Sequence, residues 1–87
     1  MADQIRIVHY LNQFFGGVGG EDKADLPLQV RAGAVGPGLV LERACGGAAR
    51  IVATVICGDN LFVEQSEQIL TAALTAIRPF HPHVFIA

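Results

Sequence analysis

The first regular pattern along the chain runs from Ile5 to Leu11 (IRIVHYL), a stretch rich in β-branched and aromatic residues. Successive side chains of an extended strand point to opposite sides, so Ile5, Ile7, His9 and Leu11 share one face and Arg6, Val8 and Tyr10 the other. From Asn12 to Asp25 the pattern breaks, and Gly16-Gly17 and Gly19-Gly20 make a regular element costly. A loose polar stretch continues to Ala34. Gly36-Pro37-Gly38 then leads into a short helix from Leu39 to about Ala44, closed by Gly46-Gly47. Ile51 to Cys57 (IVATVIC) is nearly continuous in apolar residues, the signature of a strand covered on both faces. Gly58-Asp59-Asn60 reads as a tight turn with Asn60 as helix N-cap. Between Leu61 and about Arg78, the residues Phe62, Ile69, Leu70, Ala73, Leu74 and Ile77 form one helical stripe. Glu64 and Glu67 near its start and Arg78 at its end complement the helix dipole. Pro79 stops the helix, and His83 to Ala87 (HVFIA) forms a third strand.

Strand, loop and short helix, strand, helix, strand is the order of a parallel sheet with crossover connections. The expected fold is therefore α/β: a three-layer, Rossmann-like parallel sheet of about three strands. It is incomplete, with residues 1–87 as one partial domain, the N-terminal portion of something larger. Three strands leave open edges that need covering. In such sheets ligands sit beyond the carboxyl ends of the strands.

Composition narrows the function. Hydrophobic residues make up 52% of the 87 and charged residues 16%, which excludes intrinsic disorder and suggests a core with too little surface around it. A net charge of −2 and an isoelectric point near 5.8 give no pull toward nucleic acid or acidic lipid. No apolar stretch reaches the roughly 18–20 residues that span a bilayer, and the opening Met-Ala-Asp-Gln lacks the basic region of a secretory signal. Cys45 and Cys57 match neither a disulfide framework nor a zinc motif, so a reduced cytoplasmic protein is expected.

Candidate chemistry gathers at the carboxyl ends of the first two strands. Asn12 to Lys23 (NQFFGGVGGEDK) follows strand one, where backbone amides can face a ligand and Lys23 can supply charge; the same stretch also reads as a glycine loop or interface element. It contains neither the dinucleotide-binding fingerprint nor a P-loop. Gly36-Pro37-Gly38 reads as a helix-start turn and, alternatively, as an anion site. Cys57 is the thiol at the end of strand two; its two readings are a nucleophile and a small buried hydrophobe. Asp59 and Asn60 have ordinary turn and cap roles open to them. His9 lies inside a strand, whereas His81 and His83 flank Pro82 near the opposite end, so no shared metal site is expected. No catalytic residue is assigned within the chain beyond Cys57 as a candidate.

Three segments together, RIVHYLNQFFGGVGGEDKAD (Arg6 to Asp25), VRAGAVGPG (Val30 to Gly38) and IVATVICGDN (Ile51 to Asn60), resemble the opening of the selenoprotein B family. These are substrate-specific subunits of glycine, sarcosine, betaine and D-proline reductases. The resemblance implies reductive cleavage of a C–N bond next to a carboxylate. A selenol attacks the α-carbon, and a pyruvoyl group on a partner chain takes up the amine, or a quaternary amine binds without it. Pyruvoyl group and selenocysteine, or a cysteine in its place, are thus implied on other chains. None is implied for this one, which has no selenocysteine and no cysteine in the matching context. Carried onto this sequence, the substrate-binding residues are Asn12, Gln13, Gly16, Gly17, Gly19, Gly20, Glu21, Lys23, Gly36, Gly38, Gly58, Asp59 and Asn60, with Cys57 in the same motif. Their implied role is to shape a pocket for a small amino-acid-like carboxylate, with glycine amides as donors and Lys23 as counter-charge. The implied partners are the remainder of the subunit or a second chain completing the sheet, together with the other reductase components; neither nucleic acid nor membrane is among them.

Three other readings stay open from the residues alone. One is a stand-alone module binding a small carboxylate or nucleotide. Another is a structural remnant holding a larger sheet together. The last is the same scaffold used for C–S cleavage in a nitrogen heterocycle.

Overall fold

The three apolar runs pair side by side in a computed structural model that describes residues 4–87, with Met1 to Asp3 of the leader reading outside it. Strands β1 (Ile5–Asn12), β3 (Ala49–Cys57) and β4 (Val84–Ile86) are mutually parallel, with β1 between the other two. A fourth strand, β2 (Gln29–Ala32), lies antiparallel on the outer edge of β3, so the sheet is mixed with order β2-β3-β1-β4. The stretch read as loose and polar thus contains an edge strand. Leu28 and Val30 pack into the core while Gln29 and the exposed Arg31 bond to each other, which suits the rim of a sheet.

Helix α1 (Pro37–Ala44) covers one face, where Leu41 and Cys45 pack on Ile7, Ala49 and Ile51. Helix α3 (Ser66–Ile77) covers the other with Ile69, Ala73 and Ile77 buried; Ala73 and Ile77 join Val8, Val52, Ala53 and Val55 in one cluster. The face alternation expected for β1 is therefore realised. The β1–β3 register pairs Ile7 with Ile51 and Val8 with Ala53, leaving Val52 as the extra residue of a bulge. Beside it the Ile51 N–H donates to Glu42 Oε2 at 2.7 Å, which ties α1 to the sheet.

The single helix expected from Leu61 to Arg78 is two, α2 (Asp59–Glu64) and α3, interrupted at Gln65 (φ −129°, ψ 37°). Each is anchored to something different. α2 is tied by its first amides to the loop backbone at Ala24, and α3 rests on the sheet through its stripe. The helix begins at Asp59 rather than after an Asn60 cap, because the backbone carbonyl of Ala24 does the capping. Among the parallel strands the order is 2-1-3, so the chain leaves β1 over one face and reaches β4 over the other. That reversal puts a topological switch point between the carboxyl ends of β1 and β4.

Candidate functional site

At the carboxyl ends of β1 and β3 the polar residues of the sequence motifs do converge, and they bond chiefly to one another. Gln13 is 4% exposed, and its amide is the hub. Oε1 accepts the Asp59 N–H at 3.0 Å, while Nε2 donates to Gly20 O at 3.3 Å and to Asp59 Oδ2 at 3.4 Å. Asn12 Nδ2 reaches the same carboxylate oxygen at 3.3 Å, and its Oδ1 accepts the Phe15 N–H at 2.8 Å. The Asn60 and Leu61 amides both donate to Ala24 O, at 2.9 and 3.2 Å. The first three amides of α2 are therefore satisfied inside the chain, and no open anion cradle exists at that terminus. Close approach is what requires Gly58. A Cβ there would collide with Ala24 O, and its own N–H donates to Leu26 O at 2.9 Å.

The glycine loop is equally self-contained. Gly16 donates to Asn12 O, Gly17 to Phe14 O, Gly19 to Gln13 O and Gly20 to Asp22 Oδ1. The expectation that glycine amides serve as ligand donors does not fit this arrangement, because folding the loop already uses them. What the loop presents outward are side chains. Glu21 and Lys23 are exposed on a 3-10 turn, and Phe14 and Phe15 are 65% and 56% exposed, edge to face with ring centroids 5.3 Å apart.

Gly36 and Gly38 sit apart from the Gly58–Asn60 group, at the start of α1, where the loop after β1 reaches Gly36 and β1 itself reaches Gly38. Gly36 has φ +54°, and a Cβ on it would stand 2.7 Å from Phe15 O. Gly38 lies against His9, whose Nδ1 would be 2.9 Å from a Cβ at that position. His9 is buried, Nδ1 has no hydrogen-bond partner, and burial pushes the imidazole pKa down. His81 and His83 lie at the other end of β1. There Arg6 Nε donates to His81 O at 2.6 Å and the Arg6 N–H to His83 Nδ1 at 2.9 Å. Among the described residues no three His, Cys, Asp or Glu side chains gather in a metal-holding group.

Cys57 is fully buried, with Sγ 3.9 Å from Leu26 O. Burial raises its pKa, the Gly58 backbone hydrogen bond opposes this, and the Asp59 charge adds to the rise. A thiol held protonated and away from solvent does not fit a nucleophile's role. Cys45 packs against the α1-side core. The contacts missed in the sequence are the carbonyls of Ala24 and Leu26. A main-chain acceptor carries no side-chain signal, and only the glycine at 58 hinted at a close neighbour. A hollow of about 480 Å3 lies at the opposite end of the sheet, between Arg6, Arg50, Gly33 and Phe80.

Comparison with known proteins places these motifs. The family described as glycine/sarcosine/betaine reductase selenoprotein B matches residues 4–87. The chain belongs to this family. It is 53% identical over 83 residues to glycine reductase complex component B subunit gamma of Symbiobacterium thermophilum, covering 95% of this chain and 19% of that protein. It is 46% identical over 84 residues to sarcosine reductase complex component B subunit beta of Peptoclostridium acidaminophilum, with 97% and 19% covered. Betaine reductase complex component B subunit beta of the latter organism is 35% identical over 82 residues, with 94% and 18% covered. The chain thus spans about a fifth of the length of these relatives. No solved structure matches it. Among the described residues no helix is long and apolar enough to cross a membrane.

Proposed function

We propose that this chain supplies the N-terminal α/β part of a substrate-specific reductase subunit that cleaves a C–N bond next to a carboxylate. The substrate class is glycine and its close relatives: sarcosine, betaine or D-proline. The observation that carries this reading is the match of residues 4–87 to the selenoprotein B family, with relatives in glycine, sarcosine and betaine reductase complexes. The nucleophile, a selenol or thiol, and the pyruvoyl group come from polypeptide other than these residues, since Cys57 does not fit the nucleophile's role. Free, unpaired cysteines suit a cytoplasmic setting.

Within such a subunit, Asn12, Gln13, Gly58 and Asp59 lock the loop after β1 to the start of α2. Gly16, Gly17, Gly19 and Gly20 give that loop its path, Gly36 lets α1 approach it, and Gly38 lets α1 approach His9 and Ile51 of the sheet. Side chains rather than amides then meet the substrate: Lys23 as counter-charge to the carboxylate, with Glu21 and Asn60 beside it on the exposed rim. A purely structural contribution is the second reading, and the internal saturation of the loop amides favours it.

Two measurements test the proposal. Intact-mass analysis of the assembly purified from its native cell should find selenoprotein B sequence carrying selenocysteine or cysteine, as a longer chain or a second polypeptide. A lone 9.2 kDa species without reductase activity would count against it. In the assembled enzyme, Lys23→Ala should raise KM about tenfold or more, the effect of losing a charge-assisted contact, with Tm unmoved. Unchanged KM and turnover would leave the structural reading in place.

A further inference from the structure

The two edges of the sheet are built differently. On the β2 side the outer strand carries the exposed charge of Arg31, which disfavours further pairing at that edge. On the β4 side the outer strand is Val84-Phe85-Ile86, with no charge. Its register partners among the described residues are Ile7, Val8 and His9 of β1, on one side. Val84 is 42% exposed and Phe85 48%.

The apolar surface continues from this edge onto the helical layer. Phe85 stands 6.5 Å from Tyr10 between ring centroids, and Tyr10 stands 5.5 Å from Phe62 of α2. These rings, with Ile69, Leu70 and Ala73 of α3, wall an apolar cavity of about 220 Å3. Desolvation there raises the Tyr10 phenol to about 12. Leu70 and Leu74 of α3, one turn apart, are 49% and 54% exposed on its margin. An uncharged strand edge next to an empty apolar hollow is the geometry of strand addition, in which main-chain bonds supply affinity and a pocket selects a side chain.

We propose that the β4 edge is where selenoprotein B polypeptide outside residues 4–87 joins the sheet. It adds a strand parallel to β4 and seats an apolar side chain between Tyr10, Phe62, Leu70 and Phe85. The inference rests on the reductase-subunit reading and adds to it the place of contact. Three observations select this occupant. The parallel strands run 2-1-3, an order that doubly wound sheets extend beyond strand three. The opposite edge carries the exposed charge of Arg31, whereas β4 carries none. The relatives are about five times longer than the chain, so the family carries ample polypeptide to form the added layer.

The test is site-specific photo-crosslinking in the native cell, with p-benzoylphenylalanine in place of Phe85 and, as control, in place of Arg31 on the β2 edge. The partly exposed Phe85 position accepts the probe without core disruption, and the readout works whether the contacting segment lies in the same chain or another. The expected result is a cross-link from position 85 to a selenoprotein B peptide outside residues 4–87, at least tenfold more abundant than any from position 31. A link from position 85 to a second copy of residues 4–87 or to an unrelated protein, or no link at all, would overturn the proposal. So would equal yields from the two edges. If intact mass identifies selenoprotein B sequence while position 85 does not reach it, the docking inference fails and the functional reading stands. If no selenoprotein B sequence is present, the functional reading fails first.

Discussion

His9 and Cys57 are two residues whose chemistry burial changes. His9 has Thr54 of β3 and Ile86 of β4 as register neighbours and Gly38 of α1 across from it, none of them charged. Its pKa is lowered in the folded chain from an ordinary 6.5, so the unfolded chain binds the extra proton between the two values. The stability that neutral His9 permits is complete above pH 6.5 and is lost as pH falls toward the folded-state pKa. The urea midpoint should drop between pH 7.5 and pH 5, and His9→Leu should flatten that dependence; an unchanged slope in the variant would contradict the assignment. For Cys57, iodoacetamide at pH 8 should modify Cys45 while Cys57 stays unreacted until the chain unfolds. Equal labelling of both thiols under native conditions would show that Cys57 is accessible. Its buried state was readable in the sequence, because it closes the apolar run IVATVIC. The orphaned Nδ1 of His9 was not, since strand alternation gives a face but not what packs against it.

At the level of elements, the periodicities of two and 3.6 residues located β1, β3, β4 and both helical layers, because long apolar stripes must be buried somewhere. They did not reveal β2, whose four residues carry two polar side chains and whose extended form depends on pairing with β3. Nor did they show the break at Gln65, which follows from the distant tie between α2 and Ala24. The candidate site was legible as a place and not as a network: Asn12, Gln13 and Asp59 stand at strand ends in the sequence, but that they spend their hydrogen bonds on each other is a tertiary fact. This clasp makes a quantitative prediction. Gln13→Ala strands the Asp59 N–H and frees Gly20 O, a loss of about 1–3 kcal/mol. For a domain of this size each kcal/mol is worth about 4–8 °C in Tm. Gly58→Ala forces the Ala24–Leu26 backbone away from α2 and should cost a similar amount or more. Calorimetry on both variants checks this, and a Tm within 1–2 °C of the parent for either one would mean that the clasp contributes little.

Taken whole, the molecule is a slab of 44 × 24 × 15 Å with a radius of gyration of 13.1 Å, slightly more extended than the roughly 12 Å expected for a compact chain of this length. Its stability is unevenly distributed. β3 is paired on both sides and buried from Ile51 to Cys57, whereas β4 pairs through three residues on one side and leaves Val84 and Phe85 exposed. Buried, doubly paired amides exchange with solvent through global unfolding, while a short edge strand opens locally at low free-energy cost. In the isolated chain, hydrogen–deuterium exchange should therefore be slowest at Ile51 to Ile56 and faster at Val84 to Ile86 by about a hundredfold or more, given a global stability of roughly 4–13 kcal/mol. In the assembled subunit, a strand added beyond β4 should bring the two segments to comparable protection, with little change at β2. Equal protection of β3 and β4 in the isolated chain would mean that β4 is held by something other than its ladder with β1. Protection that rises at β2 instead of β4 on assembly would move the growing edge to the other side of the sheet.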